Sequence, residues 1–334
     1  MKWDKGFSCL FYCGIVDLNT WRDIGRFDIT GGTVKKTISN LKQSADIECT
    51  NYDNSVERYI RIWMDVRQDN SAQHIPLFTG LAQCPDSDHN GILTENTIAC
   101  YSVLKPAEDI NLQRGWYAPA GISGALLVKD LLSVIHAPIQ WEENSPALKQ
   151  AIIAEDNENR LSMSIKILEA INWRLMILGN GTVIIQPPAK SISAYYNPID
   201  NDMIETEIKE SYDFYSCPNV LRAIMDDLTA VARDDSQNSP FSTVSRGREI
   251  WYTETDCSVG EQESIEEYSV RRLKELQRPA RSFSYNRSFD PNVDVTDLIR
   301  LHYPQKNIEG IFMVQQQSID FEDGVTVSEE VVQI

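Results

Sequence analysis

Val293-Asp-Val-Thr-Asp-Leu-Ile-Arg-Leu-His-Tyr303 decides the fold class. Val293, Val295, Ile299, Leu301 and Tyr303 fall on one side of a period-two alternation, and Asp294, Thr296, Arg300 and His302 fall on the other. Alternation of that kind predicts a strand with one buried and one solvated face. Two more strands, 308–314 and 325–332, follow toward the final Ile334, the second entered through the turn residues Asp323-Gly324. Strands placed there pair back against earlier chain and remove an exposed edge, so this end is expected to be architectural rather than catalytic.

Working outward, 7–104 favours strands at 8–16, 34–39, 45–49, 59–67, 75–82 and 91–101, each bounded by Gly, Pro, Asn or Asp. Tyr59-Ile-Arg-Ile-Trp-Met-Asp-Val-Arg67 alternates throughout its length. The character changes after Pro106. Leu127, Leu131, Val134 and Ile135 recur at helical spacing over 123–135, and Leu161, Ile165, Leu168 and Ile171 do so over 160–172. The runs 173–178 and 182–186, joined by Gly179-Asn180-Gly181, predict a hairpin. Segments 204–212, 219–232 and 249–252 read as β structure, 233–245 as a polar loop, and 262–277 as a helix ending before Pro279. The predicted class is α+β, mainly β, with two small antiparallel β-barrel-like tube domains and an inserted helical α+β unit. The expected domains are 1–105, a first barrel-like tube domain; 106–199, two helices and a hairpin; and 200–334, a second tube domain carrying one helix.

A chain of 334 residues exceeds what a single core usually organises. Its 49 acidic against 31 basic residues give a net charge of -18, which repels a phosphate backbone and argues against stable nucleic-acid binding. Passage of nucleic acid past such a surface remains compatible with it. Seven scattered cysteines (Cys9, Cys13, Cys49, Cys84, Cys100, Cys217, Cys257) outline no disulfide framework. No run of eighteen apolar residues occurs, and the polar stretch 19–28 follows too soon for a signal peptide. Synthesis in a reducing cytoplasm, with no membrane span, is expected.

Few residues suggest chemistry. Asp86-Ser-Asp88-His-Asn90-Gly91 matches the start of a calcium loop, but Thr97 stands where a bidentate Glu is required and Glu95 lies two positions early, so it reads as a turn. His74, His89, His136 and His302 lack zinc spacing. Ser123, in Gly121-Ile-Ser-Gly124, falls one residue short of a nucleophile elbow and reads as a helix N-cap. The run Glu155-Asp-Asn-Glu158 reads as a solvated loop, and Asn180-Gly-Thr182 and Asn286-Arg-Ser288 as glycosylation patterns inert without secretion. Trp63, Trp116, Trp141 and Trp251 suit core packing, or stacking on sugars. No catalytic, cofactor-binding or metal-binding residue is assigned, no cofactor is implied, and an enzyme is not expected.

The order of elements and several phrases resemble the baseplate hub proteins of contractile-tailed bacteriophages and of related prophage or tailocin particles, the late control protein D-like tail hubs. The phrases are Ile75-Pro-Leu-Phe-Thr-Gly-Leu-Ala82, Ile171-Asn-Trp-Arg-Leu-Met-Ile-Leu178 with Asn180-Gly181, Cys217-Pro-Asn-Val220, and Ile308-Glu-Gly-Ile-Phe-Met-Val-Gln315 followed by Phe321-Glu-Asp-Gly324. The resemblance spans nearly the whole chain. It implies a homotrimeric ring in the baseplate of a virion tail, assembled in the host bacterial cytoplasm. One face of that ring receives the tail tube or a tube-initiator protein, the other holds the central spike, and the bore passes the tape-measure protein and then DNA. No peptidoglycan-binding or lysozyme-like segment is recognisable, so cell-wall cleavage is expected of a partner. The rival reading is a module that binds or hydrolyses cell-surface polysaccharide, resting on the acidic balance and the tryptophans.

Overall fold

The computed structural model describes residues 1–334 except 40, 51, 54, 55, 84, 85, 92, 200–202, 256, 279, 280 and 323. Cys84, Pro279 and Asp323, used above, lie outside the described residues, as does the side chain of Asn90.

The first strands in chain order are β1 (Ser8–Val16), β2 (Asp23–Asp28), β3 (Gly31–Thr37), β4 (Gln43–Thr50), β5 (Arg58–Gln68), β6 (Ser71–Ala82), β7 (Asp86–Asn90) and β8 (Leu93–Ser102). They lie in the order β3-β4-β8-β6-β5-β1-β2, with β7 on β8. In β5 the alternation does what the sequence predicts: Ile60, Ile62, Met64 and Val66 are fully buried, against Val34, Ile47, Phe78 and Ile98. β2 is a correction to the polar stretch read at 19–28. It is an edge strand exposed at nearly every position, so it has no buried face to betray it.

The middle region contains α1 (Lys105–Asp109), β9 (Tyr117–Ala118), α2 (Gly124–Leu131), β10 (Ile139–Trp141), β11 (Ile152–Ile153), α3 (Arg160–Ala170), β12 (Arg174–Ile177) and β13 (Val183–Gln186). Ser123 and Asn159 cap α2 and α3 by accepting from the backbone NH of Leu126 and Ser162. Both helices press Val128, Leu161, Ile167 and Leu168 onto Leu175, Val183 and Ile185 of the sheet β10-β13-β12.

The remaining elements are β14 (Ile192–Tyr196), β15 (Ile204–Tyr212), β16 (Val220–Met225), β17 (Leu228–Arg233), α4 (Thr243–Arg246), β18 (Trp251–Glu254), α5 (Ile265–Gln277), β19 (Arg281–Ser288), β20 (Leu298–Tyr303), β21 (Ile308–Asp320) and β22 (Thr326–Gln333). β16, β17 and β18 form a separate sheet between β15 and β19 in the chain. On it α5, begun by a reciprocal capping box of Ser264 and Glu267, buries Ile265, Tyr268 and Leu273.

The other late strands join the first sheet. Its path is β15-β19-β22-β21-β3 and onward to β2, with β20 on β21 and β14 parallel to β20. β21 makes the junction by changing partner along one edge: Ile308 to Met313 pair with β20, and Gln316 to Asp320 pair with β3. The class is therefore α+β and mainly β, as read from the sequence. The barrel-like ends do not close, because β3 pairs with β21 instead of returning to β2.

Two sequence readings change. The strand opening at Val293 begins only at Leu298; before it the backbone turns, with Thr296 at φ 73° and its NH bonded to the Val314 carbonyl. Val293 and Val295 are nonetheless buried, since alternation reports which side chains are covered and not whether the backbone pairs. Asp86 to Asn90 is a strand, and the turn sits beyond it at Gly91, φ 63°.

Candidate assembly surface

One face of the large sheet is polar from the late strands to the early ones. Across the β21–β3 seam Ser318 sits opposite Lys35, and Lys35 opposite Ser44 on β4. In the other direction Ser318 faces Ser328, and Ser328 faces Asn286. Hydrogen bonds tie the row: Ser328 Oγ donates to Asn286 Oδ1 at 2.9 Å, Asn286 Nδ2 to Glu205 at 3.2 Å, and Thr33 Oγ1 to Asp320 Oδ1 at 2.8 Å. The same face carries the carboxylates of Asp46, Glu48, Glu95, Glu205, Glu207, Asp320 and Glu330 against the ammonium groups of Lys35 and Lys209. A shallow depression of about 400 Å³ lies between Glu205, Glu207, Lys209 and Glu330.

Under this face the late strands hold a buried charge network. Arg287 donates through Nε and Nη2 to Glu329 Oε2 at 2.9 and 2.8 Å, with both side chains essentially inaccessible. Tyr285 OH donates to Glu329 at 2.5 Å, and Gln317 Nε2 to Glu329 at 2.8 Å and to the Val293 carbonyl at 3.0 Å. Burial by itself would lower the Arg287 pKa, yet the adjacent Glu329 more than offsets it and the guanidinium stays charged. Burial, then Glu329, holds the Tyr285 phenol well above its ordinary value. The network thus fixes β19, β21 and β22 relative to one another and so the face above them.

The hairpin tip Gly179-Asn180-Gly181 plugs into the first strands. Thr79 Oγ1 donates to the Gly179 carbonyl at 2.8 Å, and Trp21 Nε1 to the Asn180 carbonyl at 3.0 Å. Arg61 reaches the Asn180 carbonyl while ion-paired to Asp23 at 2.6 Å. A Cβ at Gly179 would lie 1.8 Å from the Pro76 carbonyl oxygen, so only glycine permits the approach.

The residues singled out in the sequence do not converge. His74 meets Asp65, His302 meets Glu309, His89 meets Thr94 and His136 packs beside Tyr59, each in a different place. Among the described residues no group of His, Cys, Asp and Glu has the arrangement of a metal site. Asp88 sits opposite Glu95 in the β7–β8 ladder and Asp86 opposite Thr97, an extended pairing and not a loop that wraps an ion. Glu155, Asp156 and Asn157 are an exposed turn, as expected, but Glu158 is buried, accepts from the Glu155 backbone NH and shares Lys166 with Glu155 at 2.9 and 2.8 Å. Asn180 is spent on the docked tip and Asn286 on the polar row. Trp63 bonds to Asp23, Trp141 packs under Lys129, Trp251 lies beside Arg222, and Trp116 belongs to the middle region, so the four do not line one cleft. No disulfide joins the described cysteines, and burial pushes the Cys49 and Cys217 thiols up to about 11. No helix among the described residues is long and apolar enough to cross a membrane. The partner-switching β21, the buried pair and the β2 edge escaped the sequence reading; Arg287 and Glu329, charged residues inside alternating strands, were the only available signal.

No family model and no curated protein matches the chain. Solved structures do match it in fold. The 43 kDa tail protein of prophage MuSo2 from Shewanella oneidensis superposes with a TM-score of 0.69 at 9% identity, covering 98% of this chain and 96% of that one. A tail protein from Neisseria meningitidis gives 0.70 at 12% identity, covering 98% and 97%. An E. coli component of the type VI secretion system, described as structurally similar to T4 bacteriophage tail proteins, gives 0.53 at 7% identity, covering 92% and 74%. The chain has the fold of phage and prophage tail proteins, which agrees with the hub resemblance carried by its sequence phrases.

Proposed function

We propose that the chain is a structural subunit of a phage-like contractile tail, the baseplate hub ring that joins tail tube to central spike. Three copies close the ring, and the tape-measure protein and then DNA pass through its bore. The observation that carries this reading is the single open sheet whose polar, carboxylate-rich face runs unbroken from β15 to β4. Such a face lines a passage for DNA well, because its carboxylates outnumber the two lysines Lys35 and Lys209, so that on balance it repels phosphate. The outer edges at β2 and β15 present backbone groups that contact with neighbouring copies would satisfy. On this reading 1–105 and 200–334 form the ring wall, and 106–199 stands outside it. The protein acts in the virion tail after assembly in the host bacterial cytoplasm, and it performs no catalysis.

The test is to delete the gene in the strain that carries it and to examine induced particles by electron microscopy. Loss of complete tails, restored by the wild-type gene, is expected, with the chain located by gold label at the baseplate end. Complete infectious particles without it would refute the assignment. Lysine substitutions at Asp46, Glu48 and Glu330 together are expected to leave tails intact and to slow DNA delivery.

A further inference from the structure

The middle region contains a groove of about 610 Å³ between the segment leading to β9 and helix α2. Leu112, Trp116, Leu127 and Leu131 form its apolar walls, Tyr117 stands 56% exposed at its lip, and Arg160 lies at its base. Arg160 is held by one bond, from Nη1 to the Leu131 carbonyl at 3.2 Å, and its buried Nε has no hydrogen-bond partner. Several other half-buried arginines contrast with it. The guanidinium groups of Arg61, Arg271, Arg272 and Arg287 each meet a carboxylate, and Arg174, whose Nε is also unpartnered, bonds Thr296 twice and faces Asp297 and Asp294. Asp130, at the rim, is turned to Lys129 at 3.6 Å.

The Nε–H of Arg160 is cut off from solvent without an acceptor, which is unfavourable unless something fills the place, because a buried donor needs a partner. We infer that this groove takes a linear peptide segment of a partner protein in which an Asp or Glu is flanked by Leu, Ile or Phe. The carboxylate pairs with Arg160, and the apolar side chains lie against Trp116, Leu127 and Tyr117. Charge complementarity selects this occupant. Most of the surface of a chain with net charge -18 repels acidic peptides, and the groove offers one a guanidinium that no carboxylate of the described residues pairs with. The inference concerns the middle region alone and does not depend on ring formation.

The experiment is a selection from a random dodecapeptide library displayed on yeast, using the full chain as bait, followed by fluorescence anisotropy on the enriched peptides. Enriched sequences should pair an acidic residue with a large apolar one. Replacing that acid by its amide should weaken binding by about tenfold or more, as loss of a charge-assisted hydrogen bond in a dry site does. Arg160→Gln should match that loss, and amide substitution of the peptide should then have no further effect. Tyr117→Ala, at an exposed position, keeps the test valid if Arg160→Gln lowers the melting temperature, and it should weaken binding several-fold. No enrichment over an unrelated acidic protein, enriched peptides without an acid, or affinity unchanged in both variants would each overturn the inference.

Discussion

Beneath its early strands the large sheet covers Ile47, Ile60, Ile62, Met64 and Phe78 together with the thiols of Cys13, Cys49 and Cys100. Beneath its late strands it covers Phe283, Phe312 and Val331 together with the ion pair of Arg287 and Glu329. The two regions share β3 and β21 and yet bury polarity in opposite ways. At its three cysteines the early core keeps its polar atoms neutral, since burial raises the thiol pKa values and protonated thiols pack as small apolar groups. In the late core the charges stay, each satisfied by the other and by Tyr285 and Gln317. The first arrangement tolerates loss of one member. The second does not, because removing one partner strands a charge in a dry interior.

The largest expected effect tests that asymmetry directly. Glu329→Ala should lower unfolding free energy by about 3–5 kcal/mol in urea titration, while the pair Arg287→Met with Glu329→Leu should recover most of the loss. A drop below about 1 kcal/mol, the scale of an exposed pair, would mean that the network is hydrated. Second is the joint between the middle region and the early strands. Gly179→Ala should destabilise by roughly 1–3 kcal/mol, the range for forcing atoms into a packed site, and hydrogen exchange should then quicken around Thr79 and Trp21 first.

Alkaline titration separates the regions by chemistry. With the Cys49 thiol pushed up to about 11 and those of Cys13 and Cys100 raised as well, the folded chain keeps protons that the unfolded chain releases. Stability is therefore fully present below the ordinary thiol pKa of about 9 and falls as pH rises toward 11, by about 1.4 kcal/mol per pH unit for each proton. Denaturation midpoints between pH 8.5 and 11 should slope less in Cys49→Ala than in the wild type; equal slopes would remove the thiol from the account. The smallest effect lies in the insertion between β15 and β19. Ser264→Ala removes the capping box of α5 and should lower stability by about 1 kcal/mol, leaving the exchange protection of β5 and β22 unchanged.

Much of the fold was legible locally. Ile60, Ile62, Met64 and Val66 announced a half-buried strand, Ser123 an N-cap, and Gly179-Asn180-Gly181 a hairpin, because each follows from side-chain period or backbone sterics within a few residues. The alternation at Val293 and Val295 was legible as burial and misleading as backbone. β2 was invisible, since an exposed edge strand needs no apolar face, and Glu158 read as solvated because its partner Lys166 lies on a helix that only folding brings near. The groove around Arg160 had no signature at all, its walls coming from three separate segments.

By itself the sequence determined where most of the strands and helices form, which side of the alternating ones is covered, and that the whole bears an excess of negative charge; all of these are properties of neighbours along the chain. Only the tertiary structure decided that both ends merge into one open sheet through the partner change in β21. It also decided that carboxylates from five strands share a face, that Arg287 has Glu329 to neutralise it and that Arg160 has no such partner. Those outcomes depend on which distant strands are placed side by side, and pairing across more than two hundred residues is set by the fit of whole faces, which no local pattern records.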